Sequence, residues 1–140
     1  MINNLLDQLV HNNIQLIISD NQKLKLLYQK NNVTDELKNQ ITKNKLKIMQ
    51  RLLENKQARS VGFNIYGSGD LYEYRYGFGS YLYIERSAND LVTAWRANYP
   101  KGGDKPYKLK IIRKNSSFEK AFKEAKGFID WLNKKNGKRY

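Results

Sequence analysis

Hydrophobic positions change their period several times along this chain. Over residues 3–10, Leu5, Leu6, Leu9 and Val10 recur at helical spacing and predict a short amphipathic helix. His11-Asn12-Asn13 follows, and Asn enters the left-handed conformation that closes helices more readily than other non-glycine residues, so Asn13 is the expected stop. Ile14 to Ile18 is a short apolar run of strand type. Asp20-Asn21 signals a turn, and Lys23 to Tyr28 alternates, so the two runs predict a hairpin. Thr34 is a good helix N-cap, with Asp35 and Glu36 favourable in the first turn. Leu37 and Ile41 then share a helical face, as do Leu46, Met49, Leu52 and Leu53 over residues 44–55, with Thr42-Lys43-Asn44 dividing two helices. The order is helix, strand, strand, helix, helix. Glu54 to Arg59 is polar without periodicity, which places a boundary between a unit of residues 1–56 and a unit of residues 60–140.

Beyond the boundary the period drops to two. Val61, Phe63 and Ile65 alternate with smaller or polar residues, as do Tyr72, Tyr74 and Tyr76 with Glu73 and Arg75. Tyr81 to Ile84, Leu91 to Tyr99, and Tyr107, Leu109 and Ile111 continue the series. Gly67-Ser68-Gly69-Asp70, Gly77-Phe78-Gly79-Ser80 and the loop from Pro100 to Lys105 punctuate it. Four or five strands joined by short turns imply an antiparallel sheet. Ser116 or Ser117 then caps a helix whose apolar stripe is Phe118, Ala121, Phe122, Ala125, Phe128, Ile129 and Leu132. The fold class is α+β: a small αββαα module followed by an antiparallel sheet with one C-terminal helix.

Composition narrows the chemistry. The net charge is +13, with a basic excess concentrated after residue 100, so polyanions or acidic partners are attracted. There is no Cys and a single His, which excludes a disulfide framework and Cys- or His-rich metal sites. No apolar run approaches the roughly 20 residues that span a bilayer, and no leader pattern is seen, so a cytoplasmic protein without a membrane role is expected. No cofactor is implied. Asp70, Glu73, Glu85 and Asp90 are the acids that an enzyme would use, but four acids in such a stretch are ordinary, and a non-enzymatic protein is expected.

Leu5-Leu6-Asp7-Gln8-Leu9, Ile14-Gln15-Leu16, Leu24-Lys25-Leu26 and Val33-Thr34-Asp35-Glu36-Leu37, followed by Lys45 and Ile48-Met49-Gln50-Arg51-Leu52, form an ordered set. In that order and spacing the first 53 residues resemble the TubC-type N-terminal docking domain of peptide and polyketide assembly lines. Asp35 stands where that family has Pro, Val33 where it has Leu, and Asn13 where it has Gly; each change keeps the local physics. The resemblance implies capture of a short partner segment at the hairpin edge, with Leu16, Ile18, Leu24, Leu26 and Tyr28 as docking residues, and a homodimer as a further assembly. Similar modules also open some plasmid and phage replication proteins.

In the second unit, rings interleaved with cations suggest a stacking platform for unpaired bases: Tyr72, Tyr74 and Tyr76 with Arg75. Lys108 and Lys110 on one strand face, and Lys134, Lys135, Lys138 and Arg139 at the tail, are the expected phosphate contacts. The competing reading places the tyrosines in the core under the C-terminal helix. The sequence therefore predicts an adaptor that docks a protein segment through one unit and binds DNA or RNA through the other. The alternative is an accessory of an assembly line whose second unit binds protein.

Overall fold

A computed structural model describes residues 2–19, 23–29 and 32–135. Helix α1 (Ile2–His11) precedes strands β1 (Gln15–Ile18) and β2 (Leu24–Leu27), then helices α2 (Asp35–Lys43) and α3 (Lys45–Val61). Strands β3 (Asn64–Tyr66), β4 (Leu71–Gly77), β5 (Ser80–Arg86), β6 (Val92–Asn98) and β7 (Lys108–Ser116) follow, and α4 (Phe118–Lys135) ends the described chain. The class is α+β, with a two-stranded and a five-stranded antiparallel sheet. The larger sheet is a simple meander in chain order, so β3 and β7 are its edges.

Local chemistry explains the boundaries. Asn13 adopts φ 58°, and Ile14 N–H returns to the Leu9 carbonyl at 2.8 Å, closing α1 as expected. The Thr34 hydroxyl accepts from Leu37 N–H at 3.1 Å and caps α2. Asn44 separates α2 from α3, and its amide donates back to the Gln40 carbonyl. Lys120 N–H donates to the Ser117 hydroxyl at the start of α4. The expected turn at Asp20-Asn21 lies outside the described residues.

The stretch Glu54 to Arg59 is not an irregular linker. Helix α3 runs through it without a break to Gly62, whose φ of 111° closes the helix. Its polarity has a physical reason: this part of α3 meets a polar network on one side and water on the other. Ile48 and Leu52 belong to the first hydrophobic cluster, built from Ile2, Leu5, Leu6, Leu9, Ile14, Leu37 and Ile41. Ala58 and Val61 belong to the second, formed by the inner face of the sheet and α4. One helix therefore serves two cores. The face expected from Leu46, Met49, Leu52 and Leu53 is also corrected. Leu46 is 81% exposed and Leu53 is exposed, while Ile48 is fully buried.

Candidate nucleic-acid interface

Strand alternation decides which rings are available. Register pairs Tyr74 with Leu82 and Tyr72 with Ile84, and all four face α4. Tyr72 packs on Phe118 at 5.3 Å between centroids, Tyr74 on Phe63 at 5.5 Å, and Tyr76 on Phe128 at 5.3 Å. The expectation that Tyr72, Tyr74 and Tyr76 form an open stacking platform is thus corrected. They do share one face, but the apolar stripe of α4 covers it. Burial raises the Tyr72 phenol above its ordinary value, against the opposing pull of Arg86.

Among the described residues no helix packs on the other face, which is itself aromatic. Cross-strand partners line up Glu73, Tyr83, Trp95 and Ile111 in one row, and Arg75, Tyr81, Ala97 and Leu109 in the next. Tyr83 and Trp95 lie 4.5 Å apart between centroids. Tyr81 stacks on Tyr83 at 5.8 Å and meets Tyr99 edge-on at 5.8 Å. Arg75 is exposed on this face, its guanidinium 5.8 Å from the Phe78 ring centre and 5.9 Å from that of Tyr81. Of the four platform residues expected on β4, Arg75 alone stands on the open face. Burial, then a hydrogen bond with Tyr99, pushes the Tyr83 phenol far above its ordinary value, so the ring stays neutral.

A recess of about 450 Å³ opens at one end of these rows. The β4–β5 turn and the loop after β6 form its walls, tied by Tyr99 N–H donating to the Gly79 carbonyl at 2.8 Å. Gly79 has φ 70°, and a Cβ there would sit 2.5 Å from the Tyr99 carbonyl oxygen, so this approach needs glycine. Glu73, Arg75, Phe78, Tyr81, Tyr83 and Lys101 contribute to the lining.

The cations gather elsewhere. Lys108 and Lys110 pair with Asn98 and Arg96 on the α4 side of edge strand β7. The Arg96 guanidinium lies 4.5 Å over Phe128, which touches Trp131, and Lys135 Nζ lies 4.9 Å over Trp131. Lys134 and Lys135 are exposed in the last turn of α4. Lys138 and Arg139 lie outside the described residues. On the opposite side of β7, Tyr107, Leu109 and Ile111 are exposed, Tyr107 by 70%. The edge strand thus separates a basic surface from an aromatic and aliphatic one.

The expected docking residues lie on both hairpin strands and just beyond them. Leu16, Leu24 and Leu26 lean on the first core, and register sets Ile18 opposite Leu24 on the same face. Tyr28 is exposed. Among the described residues neither hairpin edge pairs with a third strand. Beside β1 an apolar groove of about 410 Å³ runs between α1 and α3, lined by Leu6, Leu9, Val10, Ile14, Leu16 and Leu52.

A polar network between the two cores escaped the sequence reading. Arg51, 1% exposed, donates to Asn3, to the Ser68 carbonyl at 3.1 Å and to Asp90 Oδ1 at 2.7 Å. Arg86 donates to the Gly69 carbonyl at 2.8 Å, Glu54 Oε1 at 2.9 Å, the Tyr72 hydroxyl at 3.0 Å and Asp90 Oδ1 at 3.1 Å. Two buried guanidinium groups are neutralised there by the largely buried Glu54 and by Asp90, whose side chain is half exposed. Of the four acids weighed for catalysis, Asp90 joins this network and Glu73 accepts from the Tyr66 hydroxyl at 3.0 Å. Among the described residues no three His, Asp or Glu side chains gather as a metal site. Nor is any helix among them long and apolar enough to cross a membrane.

No family model, curated protein or solved structure matches this chain.

Proposed function

We propose that the chain is a non-enzymatic adaptor that holds single-stranded nucleic acid on the open face of its large sheet and a protein segment at its N-terminal hairpin. One observation carries the first half: Tyr81, Tyr83, Trp95 and Tyr99 form a connected aromatic surface that no helix among the described residues covers. Every base has a π-face, so such a row stacks unpaired bases with little regard to sequence, at roughly 1–3 kcal/mol per base. Arg75 and Lys101 at the recess supply charge for the phosphates on the open face, and Lys108 and Lys110, on the α4 side of edge strand β7, meet phosphates where the chain passes over that edge. A duplex keeps its bases paired and stacked and cannot use the rings.

Support for the second half is the unpaired hairpin edge beside an apolar groove, which suits addition of a partner strand with its side chains in the groove. The resemblance to TubC-type docking domains points the same way. The expected effect is recruitment, in which one bound partner raises the local concentration of the other.

A second reading has its own observation. Tyr107, Leu109 and Ile111 are exposed together on the open face, and an aliphatic patch of this kind suits protein better than phosphate. On that reading the second unit binds protein, as in an assembly-line accessory. Titration of a labelled single strand at about 50 and about 200 mM salt separates the two. Salt-sensitive binding that prefers single strand to duplex supports the first, and no binding at about 50 mM supports the second.

A further inference from the structure

The aromatic face carries acids that a surface built only for polyanions would not place there: Glu73 and Asp104 at the recess and Glu85 further along β5, of which Glu73 alone shares the row of Tyr83 and Trp95. Glu73 lies in the same cross-strand row as Tyr83 and Trp95 and lines the recess at the end of the platform. Directly opposed residues on one sheet face have Cβ atoms about 5 Å apart, so Glu73 borders the Tyr83 ring on one side as Trp95 does on the other. One carboxylate oxygen, Oε1, accepts from the Tyr66 hydroxyl at 3.0 Å. Among the described residues Oε2 has no hydrogen-bond partner and no Lys or Arg pairs with Glu73.

Resting on the single-strand reading above, we infer that Glu73 selects the stacked base: it favours bases carrying an amino group on the pairing edge and rejects thymine and uracil. An ionised carboxylate only accepts hydrogen bonds. A base lying on Tyr83 turns its edge toward the neighbours in the row, and Glu73 is the polar neighbour. Cytosine offers its N4 amino group, adenine N6, and guanine N1–H with its N2 amino group. Thymine and uracil offer one N3–H between two carbonyl oxygens, which the carboxylate repels. The charge on Glu73 opposes every phosphate chain alike, so what it adds is a difference between bases. Tyr66 holds the carboxylate in place for that task, and the same hydrogen bond raises the Tyr66 phenol above its ordinary value.

The test compares octamers of deoxycytidine and of thymidine, binding to the full chain at about 50 mM salt and measured by anisotropy. The two bases have the same ring size, so stacking differs little between them. The expected result is tighter binding of the cytidine octamer by about fivefold or more. Glu73→Gln keeps the shape and can still meet Tyr66, but its amide both donates and accepts. In that variant the ratio should fall to about one, mainly through improved thymidine binding. Equal affinities in the unmodified protein, or a ratio that survives in Glu73→Gln, would overturn base selection while leaving the platform standing. Binding of neither octamer would overturn the platform itself, and base selection with it.

Discussion

Replacing Arg86 by Met would strand Glu54, whose side chain is 11% exposed, without its cation. It would also remove the donors to Gly69 and Tyr72. Breaking one side of a buried pair costs about 3–5 kcal/mol, so urea unfolding of Arg86→Met should show a loss near that size. Leu46→Asp should stay within about 0.5 kcal/mol of the parent, because the side chain is solvated and an acid suits the first turn of α3. The tyrosines give a pH signature. Tyr72 and Tyr83 both hold their protons more tightly in the folded state than the ordinary 10.0. That preference stabilises the fold fully below pH about 10 and is lost as pH rises beyond it. Melting temperatures should therefore be flat from pH 7 to 9 and fall above about 10, and Tyr72→Phe should blunt the fall. Residue types alone do not reveal such roles. Arg51 and Glu54 look like any solvated helix charges until Arg86 and Asp90 arrive from across the chain. Thr34 and Asn13 were legible because a cap and a left-handed stop depend on neighbours a few positions away.

Period and turn signals give the order of the described elements, with four or five strands expected and five found, but Val61 closes α3 and does not open β3; the departures share one cause. Periodicity tells which residues share a face but not what that face meets. Tyr72, Tyr74 and Tyr76 were grouped correctly, and only the packing of α4 decides that they are core. The same parity puts Glu73 and Arg75 with Tyr81, Tyr83 and Trp95 on the open side, a set that needs cross-strand register to recognise. The C-terminal half of α3 lacks an apolar stripe, so periodicity alone ends the helix too early, although Gly62 marks its end. At this scale the platform makes a graded prediction. Tyr83→Ala should weaken single-strand binding by roughly 1–3 kcal/mol and leave duplex binding nearly unchanged, as gel-shift titration would show. Lys108→Gln with Lys110→Gln should weaken both and lower the slope of log affinity against log salt by about 1.4 for single strands.

The whole molecule has two hydrophobic clusters but no free linker between them in the described chain. Helix α3 contributes to both, and Arg51, Glu54, Arg86 and Asp90 join α3 to β5 and the turn after it. Calorimetry of the full chain should therefore give one cooperative transition rather than two. A docked partner and a bound strand would then be carried on two clusters joined by one continuous helix and its ion pairs. On the proposed function, bases stack on the open face of the sheet. Trp95 lies in that face and Trp131 on the far side of the sheet, beside Phe128 on α4. In the Trp131→Phe protein, Trp95 is the sole tryptophan, and its fluorescence reports the platform directly. Adding an unpaired oligonucleotide at about 50 mM salt should quench it saturably, with the apparent affinity falling steeply by about 200 mM, while an equal length of duplex leaves the emission nearly unchanged. Emission that does not respond to single strand, or responds equally to duplex, would rule out base stacking on that face.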